Sequence, residues 1–593
     1  MDLFQVADYY VNKIVNTDSK KISDHAISNN QPHIKVLLLD EDTVETISMC
    51  TTQSTLLENQ IYLVDKLENQ TNRDFMRQLR CLCYVKPTEG TVDYLCEELH
   101  NPKYGEYQLF FNNTVSKQQL ERLASSDDLE VVTLVQELFQ DYLIVNADLF
   151  SLDISSEKMF TENNVWNFNI LQDVTNSLIS LLLSLKIKPI VYYQNTSNNN
   201  RILKLAQNVS SEINKYDKKL FDFPTQDSAP ILLILDRSID PLTPLLQPWT
   251  YQSMIHEYIG IRRNVVNLAD KVADLSDKEL SKVVLSSKQD LFFKESMYLN
   301  FGDLGDKVKN YLTDYKEKTK SNKNIQTIND IKEFIAKFPE FKKLSSNVAK
   351  HMTIVGELDT QLKKNQIWSI SELEQNVSVH SDENEDYQTI LGLFKDPQIA
   401  NFYKLKLALI YCLRFEDKIQ DVTNSLSGIL PPDDINFIYR FIKYFKKNNS
   451  GGTLGGESNK NDDLLSGLAK KFNHTLHTKQ ADNVYMQHDP ELLNILVELS
   501  QNKPLDPSKF SKVGGNPSSS STNILPQDIV IFIVGGVTLE EARIIHEFNN
   551  SAKNANMRVI LGGTIIHNTK SFIKECKHML SPNNPSTQLT DLL

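Results

Sequence analysis

Cysteine is scarce in this chain, with six in 593 residues, and none sits in a C-x-x-C pair or beside a histidine cluster. That spacing excludes a disulfide framework and a structural zinc site. Cys81 and Cys83, two apart in the strand-like run CLCYV, read as packing cysteines on one face. Long apolar runs are missing too. ILLIL at 231–235 and the LIVNADLF region near 143–150 fall well short of the roughly 20 residues that cross a bilayer. The opening MDLFQVADYYVNKIV has no basic region ahead of an apolar core, and the closing TDLL carries no lipidation signal. A cytoplasmic protein is expected.

Positive charge is also in deficit. Lys and Arg number 63 against 76 Asp and Glu, a net charge of −13. A phosphate-backbone binder would show a basic excess, so no nucleic-acid partner is expected, whereas partners with basic helices suit the balance. The chemical signatures of several enzyme classes are absent. There is no G-x-G-x-x-G, no Walker A lysine loop, no G-x-S-x-G elbow and no H-E-x-x-H. The chain reads as a non-enzyme with no cofactor and no metal.

What is present is an alternation of strands and helices. KVLLLD (35–40), IYLVDKL (61–67), CLCYVK (81–86), YQLFFN (107–112) and DYLIVN (141–146) are short runs rich in branched and aromatic residues, separated by polar segments. This spacing suits βαβ units around a parallel sheet. KIKPIVYY (186–193) and APILLILD (229–236) resemble buried strands, and the same texture returns at DIVIFIVGG (528–536) and MRVILGG (557–563). One sheet assembled from both segments, with the middle inserted, is the economical arrangement. An independent C-terminal domain would be small for an open parallel sheet. The middle carries helix periodicity, as in 330–358 and 402–417. It is broken by Gly/Ser/Asn/Pro-rich stretches at 446–463 and 503–523 that read as loops or linkers.

Two local motifs invite a chemical reading. In ILLILDRSIDPLTPLLQPWTYQ a strand ends at Asp236, followed by Arg237 and Asp240. Carboxylates at a strand's C-terminal end are where α/β enzymes place metal or substrate groups. Without a phosphate loop or a third acid, the three residues are expected to cap the turn and pair locally. In IFIVGGVTLEEARIIHEFN, Gly535 and Gly536 end a strand, and Thr538 with Glu541 fits a capping box.

The ordered set YGEYQLFFNNTVSKQQLERLA (104–124), LLILDRSIDPLTPLLQPWTYQSMIHE (232–257), FPEFKKLSSNVAKHMTIVGEL (338–358), SELEQN (371–376), NVYMQHDP (483–490) and IFIVGGVTLEEARIIHEFN (531–549) resembles the SM (Sec/Munc) family of syntaxin-binding proteins, and within it the endosomal and vacuolar-sorting branch. The resemblance implies an α/β plus α fold, a three-domain arch. An N-terminal α/β domain would span 1–138. A second α/β domain would be split between 139–245 and 526–593. A largely helical domain would fill 246–525. It implies a monomer that binds a syntaxin-type SNARE and its N-terminal peptide, receives a vesicle-type SNARE, and promotes SNARE assembly in Golgi-to-endosome and vacuolar transport. Membranes would be met only through those SNAREs.

Specific residues follow from the same resemblance. The N-peptide pocket would comprise Leu120, Leu123 and Ala124, which share a helical face, with Val132 and Val135 on a next helix opened by Asp127 and Glu130. Periodicity alone equally allows these residues to pack on the sheet. A SNARE-templating hairpin would span about 298–358, with Pro339 as a break or hinge, or else as an ordinary loop residue. Trp249, past the proline-rich turn, is either core or a binding anchor. The rival readings are an α/β enzyme acting on a phosphorylated small molecule at Asp236, Asp240 and the 535–536 glycines, and a passive tethering scaffold.

Overall fold

The computed structural model describes residues 2–581, apart from 17–33, 161–164, 197–199, 217–218, 225–226, 273–279, 322–327, 380–382, 449–483, 502, 515–525 and 552–555. The first sheet is wholly parallel, in the order β2-β1-β3-β4-β5. Its strands are β1 (Lys35–Leu39), β2 (Ile61–Lys66), β3 (Met76–Val85), β4 (Tyr104–Phe111) and β5 (Val132–Glu137). The fifth strand is not the expected DYLIVN. It is VTLVQE, which the sequence reading made a helix. Branched residues favour the pleated form, and pairing with β4 supplies the backbone partners. Leucines alternate between the two faces of β1, so Val36 and Leu38 join Cys81 and Cys83 on one side while Leu37 and Leu39 join Leu82 on the other.

DYLIVN instead forms β6 (Leu143–Asn146), an outer strand of the second sheet, antiparallel to β7 (Leu149–Ser151). That sheet runs β12-β8-β9-β13-β15-β7-β6. It contains β8 (Ile190–Gln194), β9 (Ile231–Asp236), β12 (Phe510–Lys512), β13 (Asp528–Val534) and β15 (Arg558–Gly563). The central pair joins distant parts of the chain: β13 lies parallel to β9, with Val530 opposite Leu232 and Phe532 opposite Ile234. Both strands are covered on both faces, which is why they read as unbroken apolar runs. Leu232, Ile234, Val530 and Phe532 pack toward the helices Phe168–Leu185 and Arg201–Lys215. Leu233, Leu235, Ile529 and Ile531 pack toward Glu491–Ser500 and Leu539–Asn550. Gly562 is required on β15, because a Cβ there would lie 2.1 Å from the Phe150 ring.

The helix Phe168–Leu185 is long and apolar enough by composition to cross a membrane, yet most of it is buried within the protein. The inserted segment from Tyr251 to Asn448 is mainly helical, with a two-stranded ribbon of β10 (Val265–Asn267) and β11 (Lys282–Val284). Its core gathers Tyr251, Leu407, Tyr411, Phe437 and Phe441. Two elements depart from the expected boundaries. β12 arises inside the 503–523 stretch read as a linker, where it adds an antiparallel edge to β8. The helix Thr569–Met579 follows the short pair β14 (Val537–Thr538) and β16 (Ile566–His567) and inserts Phe572, Ile573 and Cys576 into the helical core. The stretch 449–463, part of the other predicted loop, lies outside the described residues.

The turn after β9 locks the two segments of the second sheet together. Asp236 accepts the Ser238 N–H at 2.9 Å, and Asp240 accepts those of Leu242 and Thr243 at 3.1 and 2.9 Å, so both carboxylates hold the turn. Arg237 keeps one local bond, donating to the Asp240 carbonyl at 2.7 Å, and adds a distant partner. Its guanidinium grips Glu541 through two hydrogen bonds of 2.9 and 2.8 Å, across 304 positions of sequence. Glu541 is also the return partner of the Thr538 capping box. Both side chains are almost wholly buried, and a bidentate pair is the arrangement that best offsets their desolvation.

Candidate protein-binding surfaces

The first surface lies on the N-terminal sheet, between the helix Lys117–Ser126 and β5, the last strand in the sheet's order. The helix is opened by Ser116, whose side chain accepts the Gln119 N–H in a capping box. It leans on the neighbouring helix Glu89–His100: Arg122 bonds Glu89 at 2.9 Å and also pairs with Asp93, and Gln119 reaches Glu89 and the Pro87 carbonyl. Asp127 does not open a second helix. Its carboxylate accepts the N–H groups of Val131 and Val132 at 2.9 and 3.0 Å, turning the chain into β5, and Glu130 takes a left-handed φ of 52°.

The spacing of Val132 and Val135 would place them on opposite faces of a regular strand. A bulge corrects this. Tyr107 pairs with Val132 and Gln108 with Leu134, skipping Thr133, so that Leu109 faces Val135. Both valines therefore point to the face that carries Leu123. Leu123 is 4% exposed and belongs to the core. Leu120, at 39%, and Val135, at 46%, remain at the surface, and Ala124 is exposed beside them. Val132 is half-buried against the core. Leu129, in the connecting turn, is 56% exposed and was missed by the sequence reading, because an isolated leucine in a polar turn has no periodicity to reveal it. The result is an apolar shelf beside a strand edge that has no paired neighbour among the described residues.

The second surface is a helical hairpin. Its arms are Phe301–Ser321 and Ile328–Lys364, and the second runs through Pro339 for 37 residues without an end there. The expected break at Pro339 is thus replaced by a continuous helix in which one backbone donor is missing. Side chains from 315 to 345 lie outside the described residues.

The base of the hairpin is seated on a buried polar cluster that the sequence reading did not find. Asp290 caps the helix Leu291–Ser296 and accepts hydrogen bonds from Lys350 and from His351 Nε2, the latter at 2.8 Å. His351 Nδ1 lies 2.9 Å from the Tyr251 hydroxyl. Burial alone would raise the Asp290 carboxyl, but the hydrogen bonds and charges of His351 and Lys350 outweigh it and hold the group well below the usual carboxylate range. The Phe292 ring lies 4.5 Å from both His351 and Tyr311, so it touches both arms. The cluster joins residues 100 positions apart, from Tyr251 to His351, and only the adjacent Lys-His pair hints at it.

Trp249 is core. It is 3% exposed, its indole N–H donates to Ser371 Oγ at 2.6 Å, and its ring lies 4.2 Å from that of Trp368 and 5.0 Å from that of Tyr485. An anchor needs a free face, and this ring has none. The partly exposed member of the stack is Trp368.

The sequence pattern of the Sec1 family matches residues 35–575. The chain belongs to the Sec1 family. Vacuolar protein sorting-associated protein 45 of Saccharomyces cerevisiae is 52% identical over 588 residues, covering 97% of this chain and 99% of the relative. The Homo sapiens protein of the same name is 37% identical, covering 95% and 96%. Among solved structures, the SM protein Vps45 in complex with the Qa SNARE Tlg2 superposes with a TM-score of 0.86 at 39% identity, covering 98% of each chain. Sly1p in complex with an N-terminal peptide of Sed5p, at 17% identity and a TM-score of 0.71, shares the fold.

In this chain the turn carboxylates carry a structural duty. Asp236 and Asp240 are engaged by backbone N–H groups, and among the described residues no cluster of three or more His, Cys, Asp or Glu side chains is placed to hold a metal ion.

Proposed function

We propose that this chain is a SNARE-binding regulator of vesicle docking and membrane fusion, acting in Golgi-to-endosome and vacuolar transport. The observation that carries the reading is the near full-length likeness, in sequence and in fold, to Vps45 bound to the Qa SNARE Tlg2. In this reading the N-terminal peptide of a syntaxin-type SNARE lies on the shelf of Leu120, Ala124, Val132 and Val135, with Leu123 as its floor. One apolar peptide side chain buried there contributes about 1.5–3 kcal/mol. That is enough to tether the SNARE while its helical part engages elsewhere. The hairpin Phe301–Lys364, extended through Pro339, offers a helical track for a vesicle-type SNARE, and the Asp290 cluster fixes its base.

The protein works in this reading as a cytoplasmic monomer, held at Golgi and endosomal membranes by its SNARE partners, and it needs neither catalysis nor a cofactor. The enzyme reading is not favoured, because the carboxylates it would use already hold the turn. The test is capture of SNAREs from detergent extract by the purified protein, followed by SNARE assembly rates in reconstituted liposomes. Capture of a syntaxin-type SNARE with faster assembly supports the proposal. Capture without any rate change makes the chain a passive tether, and no capture removes the proposal.

A further inference from the structure

The ribbon β10–β11 is entered through a turn that one of its residues does not favour. Arg262 and Val265 exchange backbone hydrogen bonds of 3.0 and 2.9 Å, so Arg263 and Asn264 fill a two-residue turn with left-handed φ values of 53° and 60°. Such a turn takes asparagine and glycine readily, which accounts for Asn264, but it strains an arginine. The side chain of Arg263 supplies the compensation. Its Nε–H donates to Asp153, just past β7, at 2.9 Å, and its Nη1 pairs with Glu45 on the helix Glu41–Cys50 of the N-terminal domain. A strained residue that ties two domains together points to a role for the tie.

A second contact grips the same helix. Lys288 Nζ donates to the carbonyl of Cys50, the last residue of that helix, at 3.1 Å, and pairs with Asp8 of the helix Leu3–Val15. A helix ends in unpaired carbonyls with partial negative charge, and this one has no basic residue of its own in its last turn. Lys288 lies in the turn Ser286–Asp290, next but one to Asp290, which caps Leu291–Ser296 and accepts from Lys350 and His351 of the hairpin. The grip on the N-terminal domain and the seat of the hairpin therefore share one turn. The joint is polar. Among the described residues, the apolar core of the helical segment includes none before Leu242, and the side chains of Arg263 and Lys288 are 30% and 24% exposed. Ion pairs of that exposure are individually weak, and polar contacts between domains permit relative motion.

We propose that Arg263 and Lys288 form a releasable two-point clasp on the helix Glu41–Cys50, through which the position of the N-terminal domain sets the position of the hairpin base. Arg263 holds the middle of that helix and Lys288 its end, so the two contacts together fix both its place and its direction. The turn Ser286–Asp290 carries the position onward to Lys350 and His351. On the function proposed above, a SNARE that moves the N-terminal domain thereby re-aims the hairpin offered to the next SNARE.

The test needs no SNARE, so it stands or falls apart from that function. Spin labels are placed on the full chain at Glu97→Cys, exposed on the helix Glu89–His100, and at Gly356→Cys, exposed on the second arm, where an added Cβ meets nothing within 4 Å; Cys96→Ser removes a half-buried competing thiol. The distance between the labels is read by pulsed electron resonance, beside thermal melts. Arg263→Gly removes one contact while relieving the turn, and Lys288→Gln removes the other while keeping its length. Each should shift the balance from the parent distance toward an open one by about two- to fivefold, and both together by about four- to twenty-five-fold, with the melting temperature near that of the parent. Arg263→Lys with Lys288→Arg keeps both charges and should keep the parent distance. A double variant with the parent's distance distribution overturns the proposal. So does a charge-keeping pair that opens as far as the double variant, because charge then does not hold the joint. A double variant that melts far below the parent overturns it as well, since the contacts are then part of the fold and not releasable.

Discussion

Leu120 and Leu123 sit one helical turn apart on the same short helix, and they separate a binding role from a packing role. Leu120 is 39% exposed in the free protein, so an arginine there can extend into water. Surface changes of this kind alter stability by less than about 0.5 kcal/mol. With a peptide seated, the same arginine loses the apolar contact and is driven toward an unpaired, partly dry position. The lost contact is worth about 1.5–3 kcal/mol, and at 1.4 kcal/mol per decade the affinity falls about tenfold to more than a hundredfold. Leu123 is 4% exposed and packed in the sheet's core, so Leu123→Arg buries a charge with no partner at a cost of about 3–5 kcal/mol. Calorimetry with the N-terminal peptide of a syntaxin-type SNARE, beside thermal melts of both variants, reads the two effects. Leu120→Arg should lose the peptide and keep its melting temperature, and Leu123→Arg should lose the fold of the first domain. Unchanged affinity in Leu120→Arg refutes the shelf. A drop in melting temperature as large as that of Leu123→Arg refutes the assignment of Leu120 to the surface.

Glu541→Ala strands the buried Arg237 guanidinium and removes a capping partner, so denaturant unfolding should show a loss of about 3–5 kcal/mol in the second sheet, with Glu541→Gln in between. Pro339→Ala restores a backbone donor within the helix Ile328–Lys364, so it should favour the extended hairpin, tighten vesicle-SNARE binding and speed liposome fusion while leaving N-peptide affinity unchanged; unaltered binding and fusion remove Pro339 from the mechanism. Burial lowers His256 to about 4 and His567 to about 3 from an ordinary 6.5. Below about pH 6.5 the unfolded chain takes up protons that the folded chain refuses, so stability present at neutral pH is lost on acidification, by about 1.4 kcal/mol per pH unit for each histidine. Denaturant titrations at successively lower pH should show this slope, and His567→Gln should lose one histidine's share of it. Thermal melts with ATP or GTP and Mg²⁺ should show no saturable shift, as the missing phosphate loop and lysine require.

Local chemistry was legible in the residues wherever it acts over a few positions. The strands ILLIL and DIVIFIV, buried on both faces, announced themselves as continuous apolar runs, and Thr538 with Glu541 announced a helix start. The ordered motifs pointed to the family, because many weak signals in a fixed order are together specific. Reading failed where two periodicities coincide. Val132 and Val135 are three apart, which is a helix spacing, and only the bulge at Thr133 lets a strand present both on one face. It failed again where a rule about single residues met a long element: Pro339 alone argues for a break, yet the helix continues past it.

The sequence by itself determined most of the strands and helices, where several helices begin, and which family the chain resembles, since these depend on composition and short spacings. The tertiary structure alone decided the partners that meet across hundreds of residues. Arg237 was expected to pair locally and, besides its bond to the Asp240 carbonyl, grips Glu541, Trp249 turned inward onto Ser371 and Trp368, and Asp290 became the seat of Lys350 and His351. Buried polar groups and large aromatic rings take whichever partner the fold brings within bonding distance, and no local rule of spacing records that distance.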